Sequence, residues 1–167
     1  MNLPNALLGA GIIATGLMAG LWYGWTVSVI PGTRRVADAN YVETMQHINR
    51  AIINPAFIIP FLGIPALLGA AALMQFRSGD ARRGWLLAGA VGAYLLGVLG
   101  VTMGGNVPLN EALDTFDLAG SNDQAIGARR HDYETPWNRR HYLRTAANAG
   151  AFALTTAAAL VTETETG

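Results

Sequence analysis

Two asparagines four residues apart lie in a stretch of the sequence that is rich in polar side chains. The segment GGNVPLNEAL places Asn106 and Asn110 on either side of Pro108. Because proline needs no N–H donor at the start of a helix, the segment predicts a helical turn on which both amides face the same way. Such amides could stabilise an oxyanion or bind a ligand, or they could cap a broken helix. Glu111 and Asp114, on the next turn, are expected to lie in solvent.

A second group of side chains suited to chemistry lies in the segment ETPWNRRHYLRT. Trp137, His141 and Arg144 follow one another at spacings of four and three, so on a helix they share one face. Together they would supply an aromatic wall, a base and a cation. The alternative is an anchor at the membrane boundary, where Trp and Arg are common.

The third group belongs to the segment ETMQHINRAIINP and comprises Gln46, His47, Asn49 and Arg50. His47 could act as a general base. A histidine on the polar side of a surface helix can equally be solvated and without a role, so both interpretations stay open.

Residues that commonly hold metals or cofactors are sparse. The sequence has no Cys and no Lys, which excludes disulfides, thiolate nucleophiles, Cys-based metal sites, Schiff-base chemistry and a P-loop. Its three histidines, His47, His131 and His141, contain no HxxxH pair, and none lies within a predicted membrane span, where a bis-His haem would need them. We therefore expect no cofactor, and the sequence leaves haem or a metal open.

Four long stretches that are nearly free of charge must position these groups. Hydrophobic residues make up 51% of the 167 residues and charged residues only 13%, well below the roughly 25% of an average soluble protein. About 20 apolar residues span the ~30 Å hydrocarbon core of a membrane. The sequence predicts an all-α, integral membrane four-helix bundle in one domain (residues 1–167), with spans at residues 6–30, 55–76, 84–104 and 144–162.

Two longer polar segments, residues 31–54 and 105–143, separate the spans and are predicted on the same side of the membrane. In the first, apolar and polar side chains occupy opposite faces at helical spacing, which predicts an amphipathic surface helix that covers the mouth of the bundle as a lid. It should end at Asn54, because the residue before a proline avoids the helical conformation. The apolar face contains Tyr41, Met45, Ile48 and Ile52, and the polar face contains Glu43, His47 and Arg50.

Charge and composition bear on location and partners. The net charge is zero, which argues against a nucleic-acid partner. Most of the arginines lie in or beside the two large polar segments, so the positive-inside rule places these segments in the cytoplasm of a multi-pass protein of the bacterial inner (plasma) membrane. Glycines four residues apart allow close helix packing, within one bundle or in a homo-oligomer. They are Gly16, Gly20 and Gly24, and Gly100 and Gly104.

The combination of these segments resembles the anthrone oxygenase-like (DUF1772) family of small membrane proteins, over nearly the whole chain. Its specific parts are MQHINRAIINPAF, in which Gln46, Asn49 and Pro55 match the family's pattern, and NVPLN, which matches its Asn-x-Pro-x-Asn. Arg144 matches the Arg-Thr pair before the last span. Three residues earlier the family's pattern has an asparagine, and this chain has His141 instead.

The resemblance implies four membrane helices and an O₂-dependent oxidation. Some fungal members oxidise the anthrone carbon of a polyketide to a quinone without a well-defined cofactor, and many bacterial members have no assigned role. That chemistry needs a base, donors for the developing oxyanion and an apolar pocket for a flat aromatic substrate. The predicted catalytic residues are His47, His141, Asn106, Asn110 and Arg144, and the predicted substrate-binding residues are Gln46, Asn49, Trp22, Tyr23, Trp25 and Trp137.

A second interpretation belongs to a different class of function. The same chain could be a non-catalytic membrane subunit or scaffold whose polar segments bind a partner, with the amides serving as helix caps. Convergence of Asn49, Asn106, Asn110 and Arg144 on one pocket would favour a site, and separate positions at helix ends would favour the scaffold.

Overall fold

The computed structural model describes residues 3–161, and these residues form five helices and no strand. The helices are α1 (Leu3–Thr33), α2 (Asp38–Ala51), α3 (Pro55–Arg77), α4 (Ala81–Asp114) and α5 (Asp123–Leu160). Helices α1, α3 and α4 are long and apolar enough to cross a membrane. The prediction of an all-helical membrane protein is confirmed at that level.

One apolar core joins the three membrane-length helices to the second half of α5. At Gly97 of α4, helix α5 comes so close that an added Cβ would collide with the Cβ of Ala147. Such close approach is typical of helices that pack in lipid, where small residues take the place of a hydrophobic driving force. Members of this core are Met18 of α1, Leu68 of α3, Leu87 of α4, and Ala151 and Ala158 of α5.

The glycine repeat of α1 has one member that faces the bundle. A Cβ at Gly16 would lie 3.2 Å from the ring of Phe152, whereas one at Gly20 or Gly24 would meet no described atom within 4 Å. Packing inside the bundle therefore explains Gly16 and leaves the other two without a neighbour. A contact between copies of the chain at those positions stays a prediction.

The amphipathic helix predicted between the first two membrane helices is present as α2. Tyr41 and Met45 are buried in a second, smaller core with Trp137 of α5, while His47 on the opposite side is exposed. The helix ends before Asn54, whose side chain caps α3 by accepting the N–H of the third residue beyond it at 3.2 Å. Helix α2 covers the end of the bundle where α4 and α5 meet.

Helix α4 continues past residue 104, the predicted end of the third span, as far as Asp114. Two π-helical turns, Leu95–Gly100 and Thr102–Asn106, carry the backbone past the Gly-Gly pair, and an α-helical segment from Val107 completes the helix. A glycine pair weakens a helix without forbidding it. Pro108 falls near the start of the last segment, where its missing N–H is tolerated.

Helix α5 begins at Asp123, well before residue 144, where the fourth span was predicted to start. Pro136 lies inside it without ending it. The polar segment at residues 105–143, predicted to separate the third and fourth spans, is therefore helical over most of its length. Charged side chains lower the hydropathy of a segment without preventing a helix. The predicted end of the span at residue 162 lies outside the described residues. The count of four membrane crossings stays a prediction.

Arg130 attaches the first half of α5 to the end of α1. Its guanidinium donates to the carbonyl oxygens of Thr33, Arg34 and Val36 at 3.3, 3.3 and 2.8 Å, and it also pairs with Glu134 at 2.8 Å. The last carbonyls of a helix have no partners within it, so one cation satisfies several of them. This attachment holds the polar half of α5 over the end of the bundle.

Candidate functional site

A cavity of about 410 Å³ opens at the end of the bundle, where all five helices contribute to its wall. Its rim is exposed and includes Arg50, Ile53 and Asp114, whereas its inner wall is buried and includes Phe61. Pockets that hold small ligands commonly enclose roughly 300–1,000 Å³. Of the predicted site residues, the cavity is lined by Trp22, Trp25, Asn49, Asn110, Trp137 and Arg144.

Two π-helical turns shape the wall. In α1 the turn Trp25–Val29 places the ring centre of Trp25 5.8 Å from that of Trp137. In α4 the turn Thr102–Asn106 places Thr102 on the wall and Asn106 behind it. A π turn adds a residue to one turn of a helix and is frequent at functional sites. The periodicity of the sequence contains no signal for either turn.

Arg144 is the buried cation of this cavity. Only 4% of its surface is exposed, and its guanidinium carbon lies 4.1 Å from the ring centre of Trp22 and 4.9 Å from that of Trp137. Nη2 donates to Nδ1 of His141 at 3.2 Å, while Nε has no hydrogen-bond partner among the described residues. No carboxylate within residues 3–161 forms an ion pair with it. An unpaired positive charge, held between two aromatic faces, therefore borders an apolar cavity.

His141 positions Arg144. A guanidinium can only donate, so Nδ1 of His141 is the acceptor and Nε2 carries the ring proton. Nε2 donates to Oγ1 of Thr26 at 3.0 Å, and that hydroxyl donates in turn to the carbonyl oxygen of Trp22. Burial, and then the positive charge of Arg144, lower the pKa of His141, so the ring stays neutral. With both nitrogens engaged, the geometry favours a positioning role over the predicted role as a base.

Two carboxamides on the wall of the cavity, Asn49 and Asn110, share a tyrosine behind it, Tyr133. Oδ1 of Asn110 accepts from Oη of Tyr133 and from Nε1 of Trp137, both at 2.9 Å. Nδ2 of Asn49 donates to the same Tyr133 oxygen at 3.1 Å. Burial raises the pKa of Tyr133, which therefore stays a neutral donor. Because Oδ1 of Asn110 is fully used, its NH₂ group is the part left available to a ligand.

Besides His141, which contacts Arg144 without lining the cavity, four predicted site residues do not line it. Asn106 is completely buried and donates from Nδ2 to the carbonyl oxygen of Trp137 at 3.3 Å, so it joins α4 to α5. Gln46 donates from Nε2 to the carbonyl oxygens of Leu113 and Phe116, at 2.8 and 3.0 Å, and so joins α2 to the end of α4 and the residues just beyond it. His47 and Tyr23 are exposed and line no part of the cavity.

Two carboxylates that were expected in solvent are exposed, as predicted, and also lie at the rim of the cavity. Asp114 is paired with Arg50 at 2.6 Å, and Glu111 forms no ion pair with any described residue. Asn110, Glu111 and Asp114 follow one another at spacings of one and three on a helix. Adjacent residues of a helix do not face the same way, so the spacing that predicted the orientation of the amides gave no signal for Glu111.

The histidines do not form a metal site within the described part of the chain. His47 and His131 are exposed on α2 and α5, and His141 is engaged through both ring nitrogens. No group of three or more His, Asp or Glu side chains among residues 3–161 is arranged to hold a metal. The cavity offers a cation, amides, aromatic rings and carboxylates.

A family model described as anthrone oxygenase matches residues 50–154, which is more than half of the chain. The chain belongs to the anthrone oxygenase family. The match covers α3, α4 and most of α5, and so includes Asn110, Glu111 and Arg144, whereas Trp22 and Asn49 precede it. No curated protein and no solved structure matches the chain. Family membership confirms the resemblance found in the sequence.

Proposed function

We propose that this member of the anthrone oxygenase family oxidises a hydrophobic, anthrone- or hydroquinone-like aromatic compound with O₂ to a quinone. One observation carries the proposal: a buried cation and amide donors border an apolar cavity at the end of a membrane bundle. A flat apolar substrate can enter such a cavity from the lipid, and the polar wall meets the atoms that gain charge. Membership of the family supports the same reaction class.

The reaction balances with O₂ as the one co-substrate. A base removes a proton from the anthrone CH₂ group, and the resulting carbanion, which is also the enolate of the ring ketone, forms a C–O bond with O₂. The peroxide anion takes up a proton. The second C–H proton then leaves as the O–O bond breaks, and the hydroxide released takes up a proton to become water, which leaves a carbonyl group. The CH₂ carbon is oxidised, O₂ is reduced to the carbonyl oxygen and one water, and no resident cofactor is required.

Each side chain of the cavity has its own role in this reaction. Glu111, at the rim and without an ion-pair partner among the described residues, is the base that we assign. Arg144 stabilises the negative charge of the carbanion, and the free NH₂ group of Asn110 donates to it. Trp22 and Trp137 hold the aromatic plane of the substrate.

Two measurements test whether a cofactor takes part. A bound haem would show in the visible absorption of the purified protein, and a required metal would show as a loss of activity on chelation.

Oxygen consumption by the detergent-purified protein tests the proposal directly. Given a panel of anthrones and hydroquinones, the protein is expected to consume one O₂ per quinone formed from an anthrone. Asn110→Ala should lower the rate roughly 10- to 100-fold, because one donor to the developing charge is lost while Arg144 remains. Glu43→Ala, at an exposed position on α2, serves as the control and should leave the rate unchanged. No uptake across the panel would contradict the proposal and favour the non-catalytic subunit.

We also propose that the second half of α5 is a fourth membrane crossing. Residues 144–160 extend about 25 Å at 1.5 Å per residue, and Arg83 in the first turn of α4 donates to the carbonyl oxygen of Val161. Helix α5 thus lies alongside α4 from the cavity to the opposite end of the bundle. Both ends of the described chain would then lie on one side of the membrane, and the large polar segments would face the cytoplasm.

Single-cysteine labelling tests this topology cleanly, because the natural chain has no Cys. Ser78→Cys and Val161→Cys are expected to react with a membrane-impermeant maleimide from the same side, and Ser121→Cys only from the other. Labelling of the Val161 position together with the Ser121 position would show that α5 does not cross. If the Ser78 and Val161 positions again react from one side and the Ser121 position from the other, but with the two sides exchanged, the orientation is the reverse of the proposed one. The count of four crossings would then still hold.

A further inference from the structure

The unpaired charge of Arg144 determines what the cavity can hold. A charge removed from water is costly unless an opposite charge or full hydrogen bonding compensates for it. Arg144 is 4% exposed and donates to a neutral imidazole, and the faces of Trp22 and Trp137 lie against its guanidinium. Aromatic faces offset part of the cost but leave the buried Nε–H donor without a partner among the described residues.

Trp22 supplies a second unused donor beside the guanidinium. Its Nε1 is buried and has no hydrogen-bond partner among the described residues, and its ring centre lies 4.1 Å from the guanidinium carbon of Arg144. Thr102, on the facing helix α4, lines the same cavity with a buried hydroxyl that is also unpartnered within residues 3–161. Buried polar atoms nearly always have partners, so unpartnered polar atoms on three residues that line one cavity indicate a missing acceptor.

We propose that the cavity binds a flat aromatic ligand as its anion, with the charged oxygen of the ligand on Arg144 and on Nε1 of Trp22. The ligand class is an enolate, a phenolate or an aromatic carboxylate. The inference deepens the proposed function, on which its catalytic meaning rests: the enolate formed from an anthrone carries its charge on the ring oxygen, and that oxygen is the one Arg144 binds. His141 is the positioning residue, since its Nδ1 fixes one edge of the guanidinium.

Equilibrium dialysis of the detergent-purified protein against 2-naphthoate and its neutral isostere 2-naphthamide tests the inference, with protein-free micelles as the blank. The wild-type protein is expected to bind the carboxylate at least about 10-fold more tightly than the amide, the size of one charge-assisted hydrogen bond. Arg144→Gln should abolish this preference. Trp22→Phe keeps an aromatic face for Arg144, removes the indole N–H and should reduce the preference several-fold.

Equal binding of the two ligands by the wild-type protein would overturn the inference, as would a preference that survives Arg144→Gln. Should Arg144→Gln fail to fold, Arg144→Lys and Trp22→Phe decide, because either alters the donor geometry and must weaken naphthoate more than naphthamide. These outcomes are separate from the oxygenase assay. If the protein prefers the anion but consumes no O₂, the anion site is supported and the oxygenase proposal is rejected. If it consumes O₂ without preferring the anion, the oxygenase proposal is supported and the anion site is rejected.

Discussion

Arg144→Gln is expected to lower kcat/KM for anthrone oxidation by about 10³-fold, the upper range for loss of a preorganised donor to a developing oxyanion. Glutamine keeps a polar group of moderate length but carries no charge to offset that of the enolate. The measurement is the initial rate of O₂ uptake over a range of anthrone concentrations. Arg35→Gln, which removes an exposed arginine outside the cavity wall, is the matched control and should retain the wild-type rate.

The same variant should not lose stability, and this distinguishes a site from a scaffold. Arg144 is buried without a carboxylate partner among the described residues, so the folded state carries a desolvated charge that Gln would remove. Thermal unfolding of Arg144→Gln is therefore expected at the wild-type temperature or above it. If Arg144 served only to pack the helices, Arg144→Gln would unfold at a lower temperature and would show no specific loss of turnover. That pattern would contradict the assignment of Arg144 to the reaction.

The sequence predicted those structural features that depend on the spacing of residues close together in the chain. Three of the charge-poor stretches became α1, α3 and α4, and the alternation of apolar and polar residues became α2. Trp137, His141 and Arg144 share a face of α5 as their spacing required, with the rings of Trp137 and His141 stacked at 5.2 Å. Each of these features depends on side chains within a few residues of one another, which periodicity can describe.

Features that depend on partners distant along the chain could not be predicted in this way. Asn106 and Asn110 both bond to Trp137 of α5, so they face the same way as their spacing predicted, but only Asn110 lines the cavity, while Asn106 is completely buried behind its wall. The neighbouring helices decide which of the two amides borders the cavity, and local spacing does not describe them. His141 has the chemistry of a base, but Thr26, 115 residues away, occupies its Nε2. Glu111 was not predicted as a site residue, because an exposed carboxylate on a helix has no distinctive local signature.

Glu111→Gln is expected to reduce kcat by about 10²- to 10³-fold, within the range for loss of a general base, with little change in KM. The glutamine amide keeps the size of the side chain and cannot accept a proton. Because C–H cleavage would then limit the rate more strongly, a substrate deuterated at the CH₂ carbon should show a larger isotope effect on O₂ uptake than with the wild-type protein. Glu43→Gln, at an exposed position on α2, is the charge-matched control.

Ligand binding separates loss of the base from loss of the pocket. Glu111→Gln should bind 2-naphthoate at least as tightly as the wild-type protein, because a negative charge leaves the rim while Arg144 and Trp22 remain. Unchanged turnover in Glu111→Gln would rule out this assignment. A loss of turnover in Asp114→Asn instead would transfer the role to Asp114, whose carboxylate is held in an ion pair with Arg50 at 2.6 Å.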